Sequence, residues 1–186
     1  MKDNRLLRAG KIVTKILEIF HWVGAAILCV AAVSALAAPQ FVKNCVKITP
    51  IEGYGAPVEV YGFKMVLPVE NGDIHPTALF LFGIGGVVIL ALMALIFRNL
   101  HRMIRNAEIS APFHKDNIRM LKEVGIFSIA VPVVGLITSM VSRLILGNSM
   151  EISVNLEGFC IGILVLSLTQ FFIHGAELEE DVEGLL

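Results

Sequence analysis

TALFLFGIGGVVILALMALIF, residues 77–97, holds 21 positions without a single charge, and its reading decides the fold. A run of that length matches the ~20 apolar residues an α-helix needs to cross a hydrocarbon layer ~30 Å thick. Working outward from it, three more runs of the same kind appear at residues 16–38, 124–146 and 154–173. Composition agrees: 56% of residues are hydrophobic and 17% charged, against about 25% charged in ordinary soluble domains. The pattern predicts an all-α membrane protein, a single membrane domain over residues 1–186. Its architecture would be a four-transmembrane-helix bundle with a small extracytoplasmic β-prone segment between helices 1 and 2. Basic residues before the first run and Ala35-Leu36-Ala37-Ala38 at its end imitate a signal peptide. The apolar core exceeds the usual 7–15 residues of a signal, and three spans follow, so the first run is expected to be retained.

Orientation is read from the linkers. Lys2, Arg5, Arg8, Lys11 and Lys15 precede span one, and Arg98, Arg102, Arg105, Lys115, Arg119 and Lys122 lie between spans two and three. Residues 147–153, between spans three and four, contain no Lys or Arg. Basic residues resist translocation, so both termini are expected in the cytoplasm and residues 39–76 outside. That outer segment contains five prolines, β-prone runs at 41–48 and 58–69, and a turn signal at Asn71-Gly72. Short strands or a hairpin are expected there. With about 38 residues the segment cannot bury much core alone, which favours a cap over the helices and leaves a lid or sensing element as the alternative. Cys29 and Cys160 fall inside spans, and Cys45 alone lies in the outer segment, free, buried or cross-linked between subunits.

The inner half is richer. The apolar pattern of span two continues through Ile96, Leu100, Met103, Ile104 and Ala107, with Arg98, Arg102 and Arg105 on another face, so the helix should extend to about residue 107. An elbow follows over residues 108–123. Pro112 ends one helix by pushing its predecessor out of the α region, and a new helix should start near His114 with Asp116 in its first turn. Phe113, Ile118 and Leu121 are expected to form its inward stripe. The elbow either pins two spans at the interface or presents Arg98, Arg102, Arg105, Pro112, Phe113, Lys115, Asn117, Arg119 and Lys122 to a partner or to anionic lipid.

These residues carry a resemblance. Pro112-Phe113, Asn117-Ile118, Leu121 and Gly125, followed by Phe171-Phe172-Ile173-His174-Gly175 and an acidic tail bearing Leu178, resemble a family of small bacterial four-helix integral membrane proteins of unknown function. The resemblance covers most of the chain, least of all the outer segment. Members are often encoded beside a Cro/repressor-type helix-turn-helix protein, which implies a transcription regulator as partner. The ending Asp181-Val182-Glu183-Gly184-Leu185-Leu186 departs from the family's polar-then-β-branched terminus.

The tail, residues 175–186, puts Glu177, Glu179, Glu180, Asp181 and Glu183 opposite a basic surface. It is either a solvated tail or a segment that docks reversibly on the elbow. Ionisable residues at membrane depth are costly and mark function by default. Arg143 and Glu157 flank the short loop between spans three and four, and an antiparallel hairpin would place them at similar depth as an ion pair. Lys15, Glu18 and His21, spaced i, i+3, share a helix face at the inner boundary as an anchor or, through His21, a pH-responsive cluster. Gly83, Gly85 and Gly86 suit close helix approach, and Pro132 should kink span three.

No catalytic, cofactor or metal motif is present: there is no phosphate loop, no nucleophile elbow, and no two histidines at i, i+4. The chain is therefore expected not to be an enzyme, to need no cofactor and to bind no nucleic acid directly. The first functional expectation is a sensor or regulator in the bacterial cytoplasmic membrane that engages a small DNA-binding regulator. The second is a small transporter, immunity or membrane-homeostasis protein acting within the lipid bilayer, as a homo-oligomer if it forms a pathway.

Overall fold

The computed structural model describes residues 5–38, 40, 55–70, 73–106, 114–147 and 152–183. In chain order the elements are α1 (Arg5–Ala37), β1 (Ala56–Val60), β2 (Phe63–Leu67), β3 (Val69–Glu70), β4 (Asp73–Ile74), α2 (Pro76–Asn106), α3 (Lys115–Leu146), β5 (Ile152–Val154) and α4 (Glu157–Glu183). All four helices are long and apolar enough to cross a membrane. The run that opened the reading becomes α2, whose 31 residues reach about 46 Å at 1.5 Å per residue. Pro76 occupies its first position, where the missing N–H has no intrahelical partner to lose. Pro132 is buried within α3, and helical assignment runs unbroken through it.

Contacts divide the chain into two units. One comprises Met1–His21, Leu92–Ala130 and Glu157–Leu186; the other comprises Trp22–Ala91 and Val131–Leu156. In the second unit the small residues do what their spacing suggests. A methyl group on Gly86 would stand 2.5 Å from Leu28 Cδ2, and one on Gly85 would stand 2.7 Å from Thr138, so α2 lies against both α1 and α3 there. Gly83 meets Ala32 in the same seam.

β1 and β2, between α1 and α2, join β5, between α3 and α4, in a three-stranded antiparallel sheet in the order β1-β2-β5. Phe63, Met65 and Leu67 alternate inward along β2 and are almost wholly buried, with Phe63 stacked on Phe82 of α2 at a centroid distance of 5.4 Å. Val154 of β5 comes within 3.1 Å of the position a Cβ would take on Gly135 of α3. The sheet is thus a cap on the helices of this unit. The expected short strands take the form of a hairpin within the run at 58–69, which reverses at Tyr61-Gly62, both with positive φ (47° and 79°), as a two-residue turn matched to strand twist requires. Asn71-Gly72, the anticipated turn, lies outside the described residues, between the short paired strands β3 and β4.

Burial pushes the Tyr61 phenol above its usual pKa. A tyrosine at positive φ is strained, whereas asparagine tolerates it. Tyr61→Asn is expected to stabilise the hairpin by about 1 kcal/mol, read as a higher midpoint in thermal unfolding.

The last span departs from expectation at its start. Residue 154 belongs to β5, and α4 starts at Glu157 because residues 152–154 pair with 63–65 along the free edge of β2. At the other end, the acidic residues continue α4 as a helix to Glu183.

Candidate functional site

The first unit carries a polar seam along α2. Its α1-facing side is set by Phe97, His101 and Ile104: Phe97 packs on the ring of His21 at 5.0 Å, His101 Nδ1 donates to the Lys11 carbonyl at 3.0 Å, and Ile104 lies 3.4 Å from a Cβ built on Gly10. The α3-facing side is set by Asn99 and Asn106, two turns apart. Asn99, 2% exposed, donates from Nδ2 to Glu123 Oε2 at 2.9 Å, and Asn106 donates to Asn117 Oδ1 at 3.4 Å. The second Glu123 oxygen lies 3.6 Å from Arg119 Nε.

His114 starts α3. Its carbonyl accepts the N–H groups of Asn117 and Ile118, and its Nδ1 accepts that of Asp116 at 3.3 Å, so the imidazole caps a helix end that the sequence places beside Asp116. Asn117, expected on a partner or lipid surface, is instead buried at 4% exposure. The inward face of α3 runs through Asn117, Met120, Leu121 and Val124, and the amide can sit there because Asn106 satisfies it. Arg102, Arg105, Lys115, Arg119 and Lys122 are exposed, and Arg98 is half-buried. Pro112 and Phe113 lie outside the described residues.

Lys15 Nζ and Glu18 Oε2 form the anticipated pair at 2.9 Å, and Glu18 is buried. His21 shares the face, but its Nδ1 lies 2.6 Å from the Leu17 carbonyl, which only accepts, so that nitrogen carries the proton. The ring is 2% exposed. Arg143 and Glu157 fall in different units. The arginine donates from Nη2 to the Ile152 carbonyl at 3.2 Å, holding β5, and Glu157 is the first residue of α4. Ser139 and Ser142, also buried in α3, have hydroxyls that find no partner among the described residues.

The two charged ends meet in one place. Lys115 and Ile118 of α3 and Ile173, Ala176, Glu177 and Glu180 of α4 line an open groove of about 230 Å³. Its floor is apolar and its rim bears one cation and two carboxylates. Sequence reading singled out Lys115 and the acidic tail as charged surfaces, but not Ile173 or Ala176 as groove lining, since only continuation of α4 as a helix places them opposite Ile118. It also missed Asn99, His101, Asn106 and Glu123; the i, i+7 spacing of Asn99 and Asn106 was the available signal. Among the described residues no group of three His, Cys, Asp or Glu side chains could hold a metal. No family model matches the chain, and no curated protein and no solved structure is significantly similar to it.

Proposed function

We propose that this chain is a four-span protein of a bacterial cytoplasmic membrane, with both termini in the cytoplasm, that acts as a regulator by gripping a cytoplasmic protein. The partner class is a small helix-turn-helix DNA-binding regulator. The observation that carries the reading is the groove between the start of α3 and the end of α4, where Ile118, Ile173 and Ala176 are flanked by Lys115, Glu177 and Glu180. A partner helix docks in such a groove by inserting an apolar residue and matching charges at the rim. Arg102 and Arg105 of α2 and Arg119 and Lys122 of α3 are exposed as well and add positive charge that can attract an acidic partner surface.

The test begins with the gene's neighbourhood, where this reading expects a helix-turn-helix protein to be encoded, and continues with co-purification of that protein with the full chain. Ile118→Asp, which puts a charge on the apolar floor, is expected to cut capture at least tenfold, a loss of about 1.4 kcal/mol or more. Charge reversal of both Arg102 and Arg105 should weaken it less, through slower association. Lack of capture by the unaltered chain, or capture indifferent to Ile118→Asp, would sink the reading.

A further inference from the structure

Three arginines on α2 have no acidic partner among the described residues: Arg98, Arg102 and Arg105. Arg98 is the unusual one, because its Nε is shielded from solvent yet makes no hydrogen bond. A buried guanidinium nitrogen left without an acceptor is costly, and it points to an acceptor that is not part of the chain.

Helix geometry places all three on one flank. Contacts toward α1 come from residues 97, 101 and 104, and contacts toward α3 from residues 99 and 106. At about 100° per residue, positions 98, 102 and 105 fall between those two directions. On α1, Gly10 and His21 meet α2, and Lys15 and Glu18 lie to one side of that line. The pairs Gly10 with Ile104 and His21 with Phe97 make α1 and α2 antiparallel, so equivalent flanks of the two helices share one side. Among the described residues Glu18 is the carboxylate on this flank, and it is already held by Lys15 at 2.9 Å. Along the neighbouring surface of α1, Ile12, Ile16 and Ile19 are exposed, which suits an acyl chain.

We infer that this flank binds the phosphate group of an anionic glycerophospholipid in the inner leaflet. The three arginines clasp its oxygens, as guanidinium forks do, where α2 leaves the hydrocarbon. The inference rests on the membrane part of the proposed function and not on the protein partner.

Trp22, the single tryptophan, is half-exposed one turn beyond Glu18 on α1 and serves as the reporter. The full chain is reconstituted in phosphatidylcholine bilayers containing a fixed fraction of brominated phosphatidylglycerol or, separately, brominated phosphatidylcholine. Quenching of Trp22 should show a preference of about tenfold for the anionic lipid. Combined Arg98→Gln, Arg102→Gln and Arg105→Gln should bring the ratio to about one, while Arg119→Gln with Lys122→Gln leaves it unchanged. If Arg98→Gln impairs folding, the pair at 102 and 105 alone should still lower the preference. Equal quenching by both lipids, a preference that survives the triple change, or its abolition by inorganic phosphate in solution would overturn the inference. Equal quenching spares the four-span reading, whereas no quenching by either brominated lipid sinks both.

Discussion

Gly162→Leu is expected to unseat α4 from α3 and to cost about 3 kcal/mol or more in unfolding from mixed micelles. The two helices cross at Gly125 and Gly162 with their backbones in contact. A Cβ on Gly162 would stand 2.8 Å from the Gly125 carbonyl oxygen and 3.1 Å from the Ile129 nitrogen. A Cβ on Gly125 would stand 2.7 Å from Leu166 Cγ and 3.2 Å from the Gly162 carbonyl. Backbone atoms cannot swing aside as a side-chain tip can, so the helices must separate. α4 has little else to hold it, since only 11% of its apolar window is buried in the protein, against 44% for α2. Gly10→Ala is the matched control: its nearest neighbour, Ile104 Cδ1, is at an ordinary 3.4 Å, and loss of a helical glycine should leave stability unchanged or raise it by up to about 1 kcal/mol. Equal effects of the two substitutions would show that the crossing does not hold α4.

Asn99→Asp is expected to do comparable damage by a different route, and in a pH-dependent way. The substitution puts a carboxyl group where an amide donates to Glu123 at 2.9 Å in a site 2% exposed. Protonated, the new acid can replace the lost donor. Ionised, it is a charge in a buried position that faces the Glu123 carboxylate. The folded protein therefore holds a proton that the unfolded chain releases, and stability falls as pH rises. Near pH 4 the variant should be within about 1 kcal/mol of the parent, and by about pH 8 it should have lost some 3 kcal/mol. A loss that does not vary with pH would mean that residue 99 and Glu123 do not share a proton-sensitive contact.

Both predictions concern contacts that were invisible in the chain. The long helices were legible because runs of about 20 apolar residues mark them, and α2 continues past its apolar run to Asn106 along the amphipathic face that Arg98, Arg102 and Arg105 mark. The start of α3 was legible from a proline and a first-turn aspartate. The fate of residues 152–154 was not, because the first two read as linker and Val154 as the start of an apolar run; only the free edge of β2 draws them into a strand. The burial of Asn117 was equally hidden, since a polar residue in a basic linker looks solvent-facing until Asn106 is placed opposite it. In the candidate site, charge was readable and the apolar floor was not: Ile173 and Ala176 acquire meaning only through the tertiary pairing of α3 with α4.

The sheet order β1-β2-β5 also fixes a sequence of events. A chain emerging from the ribosome offers its N-terminal elements first. The hairpin of β1 and β2 is therefore complete while one edge of β2 still lacks its partner, and β5 arrives only after α2 and α3 have been made. Until then Phe63, Met65 and Leu67 sit in a two-stranded ribbon that is marginal by itself. Addition of the third strand closes the cap late, so a chain truncated before residue 152 should be open to proteases that the finished protein resists.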